Sequence, residues 1–209
     1  MSLSYKIFRF ICGIGLRIKF KVELRGNENL DEKLKGGHIV CANHHSNADP
    51  ILMVLGTKRQ IFYMAKEELF TKNWLLGKIF KSVGAFPVSR GKGDTTAIHK
   101  AFQIVEEGKL LGIFPEGTRS KDGELLRPKS GAALIAQKTK ADILPVGITY
   151  ENKEKFRSKV IIHYGDIIKN SDLGFTEEQS PRELKAASLM IMDSIRSLRH
   201  TDEFAKTEE

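Results

Sequence analysis

Cysteine is scarce in this chain: 209 residues contain two, Cys12 and Cys41, far apart and without CxxC or other zinc-like spacing. A disulfide scaffold is therefore excluded, and a reducing, intracellular compartment fits best. Long apolar runs are missing too. The longest uncharged stretch near the N-terminus is FICGIGL, residues 10–16, far short of the ~18 apolar residues a membrane span needs. Charges interrupt that region and no A-x-A-like cleavage site follows, which argues against a signal peptide. There are no internal repeats, low-complexity tracts or linkers, so one domain is expected. Acidic residues are absent from the first 21 positions, which hold five basic ones.

What remains is ordinary globular material, 41% hydrophobic and 29% charged, long enough for one substantial core. The net charge of +8 is unevenly placed. Residues 1–90 carry 15 Lys/Arg against 7 Asp/Glu, whereas residues 91–209 are balanced at 19 each. The basic half points to an anionic partner: nucleic acid, a membrane surface or an acidic protein. No helix-turn-helix, RNP-like or zinc-finger signature is present, so nucleic acid is not expected.

On a helical wheel, Lys6, Arg9, Gly13 and Arg17 share one narrow face of the N-terminal segment. Leu3, Ile7, Phe10, Ile11, Ile14 and Ile18 occupy the broad remainder. Such a helix either lies in a headgroup region or packs on the domain's own core.

Further along, FKVELRG, GGHIVCAN, IFYMA, AFPVSR, LLGIF, DILPVGITY and KVIIHYG read as strands. Between them lie helical patterns: one beginning DPILMVL, one over KEELFTKNWLLGKIFKSVG, one after Asp94, and one at GAALIAQKT. A last helix begins at the capping sequence Ser180-Pro181-Arg182-Glu183, and the terminal TDEFAKTEE reads as frayed. Strands alternating with helices predict an α/β fold, a single layered domain with a central, mostly parallel or mixed sheet flanked by helices. An N-terminal amphipathic helix precedes it. The expected divisions are 1–21 for the membrane-contact segment, 22–200 for the domain and 201–209 for the tail.

Two constellations carry chemistry. In CANHHSNADP, residues 41–50, Asp49 before Pro50 is a normal helix start, and capping alone would account for it. A metal site would need more ligands, and His38, His99, His163 and His200 show no ligand spacing. No metal is expected. A third reading pairs His44 with Asp49 across a strand-to-helix turn, the carboxylate fixing the tautomer and leaving the other ring nitrogen as a base. Ser46 would order the loop. No GxSxG accompanies the pair, so the base would act on a hydroxyl or water of the substrate.

In FPEGTRS, residues 114–120, Gly117 permits close backbone approach to a ligand, Thr118 offers a hydroxyl and Arg119 a phosphate fork. Glu116 would hold Arg119 or a substrate hydroxyl. Taken alone the stretch reads rather as a polar turn with a surface Glu–Arg pair. Arg90 and Lys129 are further cations near glycines, Lys129 just before a helix N-terminus.

Asn43-His44-x-Ser46-x-x-Asp49, GAFPVSR, FPEGTRS and ILPVGI, in this order, resemble the four motifs of the glycerolipid acyltransferases. The match is to the bacterial 1-acyl-sn-glycerol-3-phosphate acyltransferases of the PlsC type, over roughly residues 20–165. The resemblance implies acyl transfer from an acyl carrier protein or coenzyme A thioester to the 2-hydroxyl of lysophosphatidic acid, without a cofactor. It implies that His44 is the general base, Asp49 its orienting partner, and Arg90, Glu116, Gly117 and Arg119 the acceptor-binding residues. Pro145 falls on the fourth motif, associated with structure or the acyl-donor side. Ser89 departs from the pattern, standing where many members have Asp or Asn. With a short chain, residues 1–21 become the expected contact with an anionic membrane, placing the protein peripherally on its cytoplasmic face.

Overall fold

A computed structural model describes residues 2–71, 77–78, 80–81, 83–88 and 95–205. Its centre is a seven-stranded sheet of β1 (Phe20–Arg25), β2 (His38–Ala42), β3 (Ile61–Lys66), β4 (Ala85–Val88), β5 (Leu110–Ile113), β6 (Asp142–Tyr150) and β7 (Ser158–Tyr164). The strands lie in the order β1-β7-β6-β2-β5-β3-β4. All neighbours are parallel except β6 and β7, so β1 and β7 run against the other five. The sheet is mixed and mostly parallel, as the alternation of strands and helices predicts.

Burial on both faces explains the apolar run in β2, where every residue is buried. Val40 and Ala42 enter one core layer, with Leu30, Leu52, Met53 and Phe20. Ile39 and Cys41 enter the other, with Ile104, Ile135 and Ile191. The first layer is roofed by α1 (Leu3–Lys19), α2 (Leu30–Lys33) and α3 (Asp49–Met53). The second is covered by α5 (Thr95–Glu106), α6 (Gly131–Thr139) and α7 (Pro181–Ser197), whose buried stripes repeat at helical spacing. A short α4 (Glu68–Thr71) lies between β3 and β4. Of the longer helix expected there, residues 72–76, 79 and 82 lie outside the described residues, as do Ser89, Arg90 and Asp94.

α1 packs through Tyr5, Gly13 and Leu16, and turns its apolar remainder outward. Leu3, Ile7, Phe10, Ile11, Ile14 and Ile18 are each 45–72% exposed. Arg9 explains this orientation. Its Nε and Nη2 donate to the carbonyls of Val54 and Leu55 at 2.9 and 3.1 Å, just beyond α3, where carbonyls lack helical partners. Among the described residues no helix is long and apolar enough to cross a membrane.

At the other end of the chain, Thr201–Ala205 forms α8 rather than loose chain. Glu203 takes both terminal nitrogens of Arg25 on edge strand β1, at 2.6 and 3.1 Å.

Candidate active site

Three adjacent strands deliver the site. β2 leads to His44, β5 leads to Glu116, and β6 ends at Tyr150, all at the same edge of the sheet. From β2 the chain turns into α3 on one face, and from β5 through α6 on the other, so their carboxyl ends open a crevice where a ligand can enter.

Asn43 prolongs the β2–β6 pairing with its side chain. Its Nδ2 donates to the Ile148 carbonyl at 2.9 Å, and its Oδ1 accepts from the Ile148 amide at 2.8 Å. Directly after it, His44 Nδ1 lies 2.8 Å from Asp49 Oδ2. Asp49 is fully buried, and the same oxygen accepts the backbone N–H groups of His45 and Ser46, each at 2.7 Å. Its other oxygen accepts the Tyr150 hydroxyl at 2.6 Å. The carboxylate is thus committed to the preceding loop and to β6, and Ala48 occupies the N-cap position of α3. Ser46 orders the loop: its hydroxyl accepts from Ala48 N and its carbonyl from Asp49 N.

The His44 ring stacks on Phe114, centroids 4.0 Å apart at 15°, which braces one face of the imidazole. Nδ1 lies against a carboxylate, a partner that favours the tautomer with the proton on Nδ1 and a lone pair on Nε2. Nε2 has no hydrogen bond among the described residues, and the side chain is 14% exposed. A buried carboxylate, a braced imidazole and a free basic nitrogen form the arrangement of a general base.

The second motif loop is fastened to the first by Glu116. Its Oε1 accepts the His44 amide at 2.7 Å and its Oε2 the Leu126 amide at 2.8 Å. Burial raises its pKa, against the lowering effect of those two amide bonds. At 3% exposure, both Glu116 oxygens accept backbone amides, and Arg119 is not among the partners. The Ser120 amide completes the clamp by donating to the His44 carbonyl at 2.8 Å.

Gly117 has φ +70°, a conformation that disfavours a side chain. A Cβ there would stand 2.9 Å from Lys129 Cδ and Cε and 3.0 Å from Nζ. The bare Cα therefore lets the Lys129 side chain lie against the FPEGTRS turn, and Lys129 N also donates to the Pro115 carbonyl at 2.8 Å. Thr118, Arg119 and Lys129 are exposed, and no described carboxylate pairs with either cation. Lys153 adds positive charge beside the first loop, its Nζ 3.4 Å from His45 Nδ1. Pro145 lies within β6 opposite Cys41, and its carbonyl accepts from Gly165 N. Arg90 lies outside the described residues.

Tyr150 and Arg199 carry no sequence motif. Burial, and then the Asp49 charge, push the Tyr150 hydroxyl well above its ordinary pKa, so it remains a donor to Asp49. The signal for it was its place as the last residue of a strand. Arg199 follows α7 and donates from Nη2 to the Gly123 carbonyl at 2.9 Å, holding the loop beyond FPEGTRS. Burial raises the Cys41 thiol far above its ordinary pKa, which leaves it inert as a nucleophile. Among the described residues no three His, Cys, Asp or Glu side chains group as a metal site.

Fold and site together define an α/β enzyme built around a histidine–aspartate pair at the carboxyl ends of parallel strands. The family model described as Acyltransferase matches residues 21–149, and the chain belongs to that family. It is 31% identical over 198 residues to the 1-acyl-sn-glycerol-3-phosphate acyltransferase of Bacillus subtilis (strain 168), covering 93% of this chain and 96% of that protein. The Streptococcus pneumoniae (strain ATCC BAA-255 / R6) protein of the same name is 35% identical over 141 residues, 65% of this chain and 52% of that protein. Among solved structures, the 1-acyl-sn-glycerophosphate (LPA) acyltransferase PlsC from Thermotoga maritima superposes with a TM-score of 0.72. Its identity is 25%, covering 93% of this chain and 78% of that one.

Proposed function

We propose that the enzyme transfers a fatty acyl group from a thioester of acyl carrier protein or coenzyme A to the sn-2 hydroxyl of 1-acylglycerol 3-phosphate, giving phosphatidic acid. The observation that carries this reading is the 2.8 Å contact of His44 Nδ1 with a fully buried Asp49, which leaves Nε2 as the one free ring nitrogen. The names of the relatives support acyl transfer and the acceptor, and the thioester donor follows the motif resemblance.

His44 Nε2 takes the proton as the acceptor oxygen attacks the thioester carbonyl carbon. The C–S bond then breaks, and the same nitrogen returns the proton to the departing thiolate. Asp49 stabilises the imidazolium between the two transfers. Arg119 and Lys129, exposed and uncompensated, hold the acceptor phosphate, together with Arg90. Gly117 and Thr118 bring backbone and hydroxyl to the glycerol, while Glu116 keeps the two loops in register. No acyl-enzyme forms, so the kinetics are sequential rather than ping-pong.

The six outward apolar side chains of α1 support its seating in the headgroup layer of an anionic membrane, on the cytoplasmic face. Full burial of one such side chain contributes roughly 1.5–3 kcal/mol, enough in sum to hold the enzyme where its lipid acceptor lies.

The test is thiol release from a long-chain acyl thioester, on either carrier and with membranes present, with and without lysophosphatidic acid. Wild type should release thiol only with the acceptor, His44→Ala should fall to background with the fold intact by circular dichroism, and Asp49→Asn should lose a large part of the rate. Near-full activity in His44→Ala would remove the base assignment. Release with glycerol 3-phosphate or another lysolipid alone would keep the chemistry and change the acceptor.

A further inference from the structure

A second cluster of cations lies outside the catalytic crevice. Lys6, Arg9 and Arg17 line a groove of about 380 Å3 beside α1, with Phe10, Gly13, Ile14 and Leu55 as its other walls. We propose that this groove binds the phosphate of an anionic membrane phospholipid at a discrete site separate from the catalytic pair. The inference rests on the membrane-contact reading of α1 and goes further, because a helix lying in a headgroup layer requires no such site.

Three observations converge on it. First, the charge is uncancelled. α1 contains no acidic residue, and among the described residues no carboxylate pairs with Lys6, Arg9 or Arg17. Arg9 is anchored, but its acceptors are the neutral carbonyls of Val54 and Leu55, so its position is set while its charge persists.

Second, the groove has a built floor. A Cβ on Gly13 would stand 3.3 Å from both Arg17 Nη1 and Leu55 Cδ2, so its absence lets these side chains close on the helix. Arg17 is exposed, and its Nη1 donates to the Gly13 carbonyl at 3.4 Å, which lays the side chain back along the groove wall.

Third, the rim points to the kind of ligand. Phe10 and Ile14 line the groove and also belong to the exposed apolar face, at 68% and 45% exposure. An anion bound between the cations would therefore have an apolar extension running onto that face. A phospholipid has this geometry, with its phosphate in the groove and its acyl chains along Phe10 and Ile14. A free phosphate would use only the cations, and an acidic protein would leave most of the apolar face uncovered.

Flotation of the full chain with equimolar phosphatidylcholine–phosphatidylglycerol vesicles, and with phosphatidylcholine vesicles, tests the site. Two double variants remove equal charge from the same segment: Lys6→Gln/Arg17→Gln in the groove and Lys19→Gln/Lys21→Gln outside it. Diffuse attraction contributes about fivefold per cation near an anionic leaflet, so either pair costs about thirtyfold on that ground alone. The groove pair should lose about tenfold more, only on the phosphatidylglycerol vesicles, with the melting temperature unchanged. Soluble dihexanoyl phosphatidylglycerol, below its micelle concentration, should bind wild type saturably and the groove pair not at all, while inorganic phosphate should compete weakly.

Equal losses in the two pairs, with no saturable binding, would overturn the site and leave the membrane contact standing. No flotation of wild type on either vesicle would overturn the membrane contact itself. A groove pair that matched the control pair on vesicles but lost its response to an acidic acyl carrier would reassign the groove to a protein, which also overturns the proposal.

Discussion

Tyr150 meets Asp49 across 101 positions of sequence, and this contact defines what a single residue does here. Its hydroxyl cannot touch a substrate while it donates to the buried carboxylate, so it acts through Asp49 on His44. Tyr150→Phe should lower kcat about tenfold, within the range a general base supplies, with both KM values unchanged. Stability should fall by about 1–3 kcal/mol, because the buried Asp49 Oδ1 loses its hydrogen-bond donor. A raised KM with kcat preserved would mean that the tyrosine contacts substrate instead. Arg119→Ala is the opposite case. An exposed guanidinium that binds the acceptor phosphate equally in ground and transition states should raise the acceptor KM and leave kcat nearly intact, measured by initial rates at saturating donor. The His44–Asp49 pairing was readable from spacing, because both residues lie on one short turn. The role of Glu116 was not, since its partners, the amides of His44 and Leu126, belong to segments that meet only when β2 and β5 align.

At the scale of elements, α1 has two faces with separable consequences. Leu16 is 8% exposed in the core, and Leu16→Ala should cost about 2–5 kcal/mol in urea denaturation. Ile11 is 62% exposed, and Ile11→Ser should change stability by no more than about 0.5 kcal/mol while weakening vesicle flotation. The wheel pattern was legible in the sequence, but not which face turns inward, because the carbonyls that capture Arg9 come from the end of α3. The contact between α8 and the sheet has its own pH dependence. His163 on β7 and His200 before α8 stack with centroids 5.0 Å apart, their ring nitrogens 3.0 Å apart, beside Arg25 and Glu203. Burial foremost, then His200 and Arg25, push the His163 pKa below its ordinary value. A histidine depressed in the folded state stabilises above its unfolded pKa of about 6.5, and that stability is lost as the pH falls through the folded value. Thermal melting should show a larger decrease between about pH 7.5 and 5.5 in wild type than in His163→Gln. An equal decrease would show that His163 does not carry the pH dependence.

Across the whole molecule, the polar and apolar functions lie in different places. The catalytic crevice opens at the carboxyl ends of β2, β5 and β6, whereas the outward face of α1 lies over the layer formed with α2 and α3. Five of the basic residues lie in positions 1–21 with no acid among them, so attraction to anionic vesicles should weaken with salt as the Debye length shrinks. Sequence by itself determined what local periodicity and spacing control: the strands and most helices, the single mixed sheet, the histidine–aspartate pair, the cation-bearing glycine turn and the amphipathic N-terminus. These follow from side chains acting on their own few neighbours. The tertiary structure alone decided which distant groups satisfy which buried polar atoms: Tyr150 on Asp49, Glu116 on two amides, Arg9 on the end of α3, and Glu203 on Arg25. The physical reason is that a buried donor or acceptor must find a partner somewhere, and strand order, not sequence distance, determines which partner is near.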